Sequence, residues 1–178
     1  TAWGGLPAVI WTDLIQGITL LIGGTIVLWF AVCAVGDGSF FDGWTNFTEH
    51  SRERLHLIKD SDDKNLPWTV LLAGIWIPII FYWGLNQFIT QRALAAKSVA
   101  EGQRGIMLAA ALKLYLPLIV VIPGILAWQL YAEQQPDLGD KAYPYMISQL
   151  LPPWLRGILL AALAGAVMST FNSGLNAA

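Results

Sequence analysis

Charge is scarce in this sequence. Only 12% of its 178 residues are Asp, Glu, Lys or Arg, about half the share of an ordinary soluble domain, and 56% are hydrophobic. Cysteine is nearly absent: Cys33 stands alone, so no disulfide can form within the chain. The two histidines, His50 and His56, share one loop without a second ligand set, which excludes a zinc site of the usual kind. There is no paired-carboxylate arrangement, no Cys/His cluster and no glycine-rich phosphate loop, so nothing points to an enzyme. A net charge of -2 carries no nucleic-acid signal. The first apolar run is too long for a signal peptide and has no basic leader. The sequence begins at Thr1 without an initiator Met and stops inside an apolar run at Ala178, so the expectation is a piece of a larger membrane protein.

What is present is apolar length. Four segments, about 6–35, 67–91, 105–132 and 154–178, each reach the roughly 20 residues that cross a bilayer. The chain is therefore expected to be an all-α membrane protein with four transmembrane helical segments. Between the segments, 36–66 holds Asp37, Asp42, Glu49, Glu53, Asp60, Asp62 and Asp63 against Arg52, Arg54, Lys59 and Lys64. The link 133–153 holds Glu133, Asp137 and Asp140 against Lys141, whereas 92–104 holds Arg92, Lys97 and Arg104 against Glu101. Short basic loops stay in the cytoplasm. That puts 92–104 inside and both acidic loops outside, and the four spans alternate without conflict. Trp29, Trp68, Trp128 and Trp154 fall near segment ends, as an interfacial aromatic belt requires. A short surface helix is expected around 141–150, bracketed by Pro144, Pro152 and Pro153. Asn46-Phe47-Thr48 has the form of a glycosylation sequon.

The second span is irregular. It contains Pro78 and the run Phe81-Tyr82-Trp83-Gly84-Leu85-Asn86-Gln87. Proline removes a helical hydrogen bond and glycine loosens the backbone. The result is either a simple kink or a true break, and breaks at membrane depth are tolerated only where freed carbonyls face protein, water or an ion. Two ionisable side chains lie inside spans. Asp13 reads either as an interfacial carboxylate or as part of a polar path, and Lys113 either as a stem that snorkels to the surface or as a cavity-facing ammonium. In the last span Ala166, Ser169 and Thr170 share one helical face at i, i+3 and i+4. Two hydroxyls and a carbonyl there form half of a cage for a small hard cation; the plain alternative is that each hydroxyl bonds the carbonyl four residues back. Ser173 and Asn176 extend the same polar strip.

Several separated motifs resemble the solute:sodium symporter family. Gly4-Gly5-Leu6-Pro7-Ala8 followed by Trp11-Thr12-Asp13-Leu14-Ile15-Gln16 resembles the start of its fifth core helix. Tyr82-Trp83-Gly84-Leu85-Asn86-Gln87 and then Gln91-Arg92-Ala93-Leu94-Ala95-Ala96-Lys97-Ser98 resemble the sixth helix and the link after it. Ala111-Leu112-Lys113-Leu114 resembles the seventh. Asp140-Lys141-Ala142-Tyr143-Pro144 and Ala161 to Asn176 resemble the outer loop and the eighth. The similarity is weakest in 36–66 and is greatest to bacterial sodium/sugar cotransporters.

The resemblance implies two five-helix repeats of opposite topology, with this chain supplying core helices five to eight. It implies sodium ligands at the Ala166 carbonyl and the Ser169 and Thr170 hydroxyls, the rest coming from a first core helix that is not in this sequence. It further implies that Lys113 reaches the solute, that Tyr82 gates it from the cytoplasmic side with Trp83 beside it and Gln87 on the substrate side, and that Asp13 lies on the sodium exit route. The implied activity is sodium-coupled symport of a sugar or polyol across a cell membrane, the inner membrane in a bacterium. One departure stands out: sugar carriers place a polar residue three positions before the gating tyrosine, and here that residue is Ile79. A reading from another class keeps the same fold but uses it as a membrane sensor feeding a fused signalling domain.

Overall fold

A computed structural model describes residues 5–56, 58–62, 67–134 and 139–177. Apart from one isolated bridge between Lys59 and Pro67, regular structure among them is helical. The helices are α1 (Gly5–Val35), α2 (Phe40–His50), α3 (Trp68–Ala73), α4 (Trp76–Ile80), α5 (Gln87–Leu94), α6 (Val99–Tyr131), α7 (Ala142–Leu150) and α8 (Pro153–Ala177). Three of them, α1, α6 and α8, are long and apolar enough to cross a membrane. The fourth expected span is not one helix. It is a relay of α3, α4, a π-helical turn at Phe81–Leu85 and α5.

The relay breaks for local reasons. The N–H of Ile75 reaches back five residues to Val70 O, and the chain starts a new helix at Trp76. Pro78 therefore sits in the first turn of α4, where a missing N–H is harmless. Downstream, Gly84 lies in the π turn and Asn86 adopts an extended conformation, ψ 116°, before α5 resumes. The sharper break thus falls at Asn86, away from Pro78; the lesser one at Gly74–Ile75 lies four residues before Pro78, whose ring crowds the Gly74 carbonyl. The Asn86 carbonyl accepts from Thr90 N at 3.0 Å and from Thr90 Oγ1 at 3.1 Å, which stabilises the restart.

α1 packs against both α6 and α8. Gly23 and Gly24 make this possible: a methyl at Gly23 would run into Leu159 of α8, and one at Gly24 would press Ile119 of α6. The buried core sits at the end of the bundle where α1 and α6 finish and α8 starts, built on Val27, Val32, Leu126, Met146, Leu151 and Leu155. α6 carries Pro117 and Pro123 inside it. Pro123 leaves the Ile119 carbonyl without its helical donor, and the Tyr143 hydroxyl of α7 donates to that oxygen at 3.3 Å. Burial raises the Tyr143 pKa above its usual value.

The stretch 36–66, expected as a loop, contains α2. Ser39 caps it, accepting from Asp42 N. Phe40, Trp44 and Phe47 recur at i, i+4 and i+7 and form one stacked face with Trp29, whose ring lies 4.7 Å from Phe40. Phe47 is fully buried, and Gly43 touches the Val32 backbone so closely that no side chain fits there. Gln129 donates to Asn46 Oδ1 at 2.8 Å, and Arg54 lies 3.3 Å over the Trp128 ring. Asn46, the acceptor of the sequon, is engaged in this packing. The short helix expected around 141–150 is α7, with Met146 buried against the core.

Candidate functional site

At the opposite end of the bundle a polar cluster joins α1, α5 and α8. Asp13, about two turns into α1, has a side chain only 14% exposed. Its Oδ2 pairs with Arg92 Nη2 at 2.5 Å, and Ser169 Oγ donates to its Oδ1. Arg92 also donates to Ser173 Oγ, and Ser173 Oγ donates in turn to the Ser169 carbonyl at 2.8 Å. Ser173 is buried. One turn along α1, the Gln16 side chain sits against Gly165 of α8. Gln16 Oε1 and, beside Arg92, Gln91 Nε2 are buried polar atoms without a hydrogen-bond partner among the described residues.

Asp13 is thus neither an isolated interfacial carboxylate nor free. It is an acceptor shared between a cation and a hydroxyl. On α8, Ala166, Ser169 and Thr170 follow different rules. Thr170 Oγ1 donates to Ala166 O at 3.1 Å, the back-bond common to membrane helices. Ser169 instead turns to Asp13. A hydroxyl keeps two lone pairs after donating its proton, so the Ser169 and Thr170 oxygens retain acceptor capacity; the Ala166 carbonyl accepts from the helical Thr170 N–H and from Thr170 Oγ1, and would be open to a cation once Thr170 turns its proton away. An oxygen-only donor set of this kind suits a hard monovalent or divalent cation and not a thiolate-seeking metal.

A second group lies beside the break. Lys113 Nζ sits 3.3 Å over the Trp83 ring, and Tyr82 meets Trp83 edge to face at 5.2 Å. Lys113 lies 14 residues into α6, about 21 Å along its axis at 1.5 Å per residue. At that depth the ammonium is held by the ring quadrupole and does not run out along its own helix. Pro117 also leaves the Lys113 carbonyl without its helical N–H donor. Together Ile79, Trp83, Thr90, Arg92, Glu101 and Lys113 are among the residues lining an open groove of about 1080 Å³ between the relay and α6. Ile79 gives this wall an apolar surface. Gln87 is exposed at the start of α5, and its carbonyl accepts from Thr90 Oγ1 at 3.4 Å.

The expected site residues therefore fall into two groups. Arg92 belongs to the surroundings of both: it lines the groove and bonds the Asp13 cluster. Sequence reasoning placed Arg92 in a basic link and missed this. The available signal was the unpaired carboxylate of Asp13 inside a span, which needs a cation nearby, but which cation could not be read before α5 was placed.

Comparison with known proteins agrees with the resemblance. The sodium:solute symporter family matches residues 1–178. The sodium/glucose cotransporter of Vibrio parahaemolyticus is 41% identical over 98% of this chain and 36% of its own length. The uncharacterized symporter YidK of Escherichia coli K12 is 44% identical over 98% of this chain and 30% of its own. The mouse sodium/myo-inositol cotransporter 2 is 34% identical over the whole chain and 30% of its own length. The chain thus spans about a third of the length of these relatives. No solved structure matches it. With the full chain matched and relatives above 40% identity, the chain belongs to the sodium:solute symporter family.

Proposed function

We propose that this chain supplies core helices five to eight of a full-length, sodium-coupled secondary active symporter in a cell membrane, built from two inverted five-helix repeats. The transported solute is a small polar molecule, a sugar or polyol. In this reading sodium is held by the Ala166 carbonyl and the Ser169 and Thr170 hydroxyls, with further ligands from a first core helix outside this chain. Lys113 donates hydrogen bonds to the solute. Tyr82 and Trp83 close the path from the cytoplasmic side, Gln87 stands beside them, and Asp13 lies on the route by which sodium leaves.

The observation that carries this reading is the interrupted relay at Phe81–Asn86 with the Lys113 ammonium seated on Trp83 at its groove. Irregular backbone at membrane depth lines a cavity or a path, and an aromatic–ammonium pair offers a sugar both a stacking face and donors. The names of relatives, a glucose and a myo-inositol cotransporter, agree with a polyhydroxylated solute. Ile79 cannot pair with a solute hydroxyl. An unpaired buried hydroxyl costs about 1–3 kcal/mol, so the preferred solute has no hydroxyl facing that wall.

Coupling requires that sodium and solute each favour one conformation of the cycle over the others. The test is uptake of a panel of labelled sugars and polyols into proteoliposomes holding the full-length protein. At least one solute should accumulate under an inward sodium gradient and not under potassium. Failure of every polyol to accumulate, with the protein correctly inserted, would remove the proposed function.

A further inference from the structure

Arg92 has no sodium or solute contact in the proposed function, yet its guanidinium reaches two elements at once. It pairs with Asp13 of α1 and donates to Ser173 of α8, while its own helix α5 is the inner half of the broken relay. Both contacts are made by Nη2, whose two N–H groups diverge in fixed directions within the planar guanidinium fork; a flexible ammonium has donors but holds them in no fixed direction. The geometry sets the polarity of the neighbouring hydroxyl. A carboxylate is acceptor-only, and serine has one proton and two lone pairs. With the Ser169 proton directed at Asp13, only lone pairs remain on its outer side. That is the polarity a cation needs. The Ser173 bond to the Ser169 carbonyl fixes the same residue from its backbone side.

We propose that Arg92 is a positioning residue for sodium. It fixes the Asp13 carboxylate and the Ser173 hydroxyl so that Ser169 presents its lone pairs to the cation, and it ties the inner half of the broken relay to that site. The inference rests on Ser169 being a sodium ligand. Without Arg92 the carboxylate would lose its counter-charge inside a membrane-spanning helix and turn to other donors. The Ser169 hydroxyl would then be free to back-bond along its own helix, as Thr170 does.

The experiment measures sodium activation of solute uptake by the full-length protein in proteoliposomes for wild type, Arg92→Gln, Arg92→Lys and Ser169→Ala. Arg92 acts only through Ser169, so Arg92→Gln should raise the half-activating sodium concentration by no more than the about fivefold expected of Ser169→Ala itself. Solute KM at saturating sodium should change less than the sodium requirement, although Arg92 lines the groove; a merely structural loss would move both alike. Arg92→Lys should give a smaller rise, because it keeps the charge and loses the fork. Should Arg92→Gln fail to insert, Arg92→Lys carries the test alone. A sodium curve for either variant that overlays wild type, or an equal loss of sodium and solute affinity, overturns the proposal. If Ser169→Ala shifts the curve in that experiment, the sodium site itself stands. If Ser169→Ala leaves the curve unchanged, Ser169 is not a ligand and the role of Arg92 falls with it.

Discussion

At the residue scale the proposed chemistry rests on hydroxyls and one ammonium. Ser169 and Thr170 differ by their partners: Asp13 for one and the Ala166 carbonyl for the other. Each offers lone pairs to a cation, so each single alanine variant removes one oxygen from a small set. Ser169→Ala or Thr170→Ala should raise the half-activating sodium concentration by about fivefold, equivalent to ~1 kcal/mol of lost contact. Alanine is the best helix former, so insertion should be unaffected. A sodium titration of uptake checks it, and unchanged curves for both variants would mean the hydroxyls serve only their own fold. In the proposed function Lys113 acts on the other ligand. A hydrogen bond from a charged donor contributes about 1.5–3 kcal/mol, so Lys113→Ala should weaken solute affinity by about 10-fold or more. The sodium-induced change in tryptophan fluorescence should persist. Equal loss of both would make Lys113 a structural residue.

Among the elements, the relay and α2 show what could be read in the chain and what could not. Pro78, Gly84 and the polar run to Gln87 announced an irregular second span. The position of the break, at Asn86, depended on where Ile75 and Thr90 found acceptors, which is a matter of three-dimensional pairing. The strip Ala166, Ser169 and Thr170 was legible from helical spacing alone, whereas the turn of Ser169 toward Asp13 was not, because it needs α1 and α8 side by side. α2 was missed although its i, i+4, i+7 aromatics were in view. The charge-rich composition of 36–66, with seven acidic residues, argued for a loop, and only the Val32 backbone explains why a glycine stands at position 43 inside a helix. Because Phe47 is fully buried, Phe47→Ala should cost about 3–5 kcal/mol and release α2 from the bundle. Limited proteolysis should then cut within 39–56, where the wild-type chain resists.

The whole molecule has two unlike ends. One is closed by aromatic and apolar packing of α2 and α7 on α1, α6 and α8. The other is held by a few polar contacts among α1, α5 and α8 and opens onto the groove. Loosely packed, polar contacts open at lower free energy than a buried apolar core. If the basic link 92–104 faces the cytoplasm, as short basic loops do, the loosely held end is the inner one. In a cysteine-free background made by replacing Cys33, Lys97→Cys should react with an impermeant maleimide only from the cytoplasmic face. Asp42→Cys should react only from the outside. The reverse pattern would invert the topology and with it the direction of sodium exit.

The broken relay also bears on how such a chain enters a bilayer. The translocation machinery releases a segment into lipid according to its continuous apolar length. α1, α6 and α8 satisfy that on their own, but the apolar part of the relay, Val70–Leu85, falls short of the roughly 20 residues a crossing needs. It is followed at once by Asn86, Gln87, Gln91 and Arg92. Biogenesis therefore has to be cooperative, with the relay retained at the lateral exit until a stable neighbour arrives. Arg92 could then meet Asp13 of α1, which is already in place. In a glycosylation-mapping assay, residues 67–94 alone should integrate poorly. The same residues preceded by α1 should integrate efficiently, and Asp13→Leu in that α1 should abolish the gain.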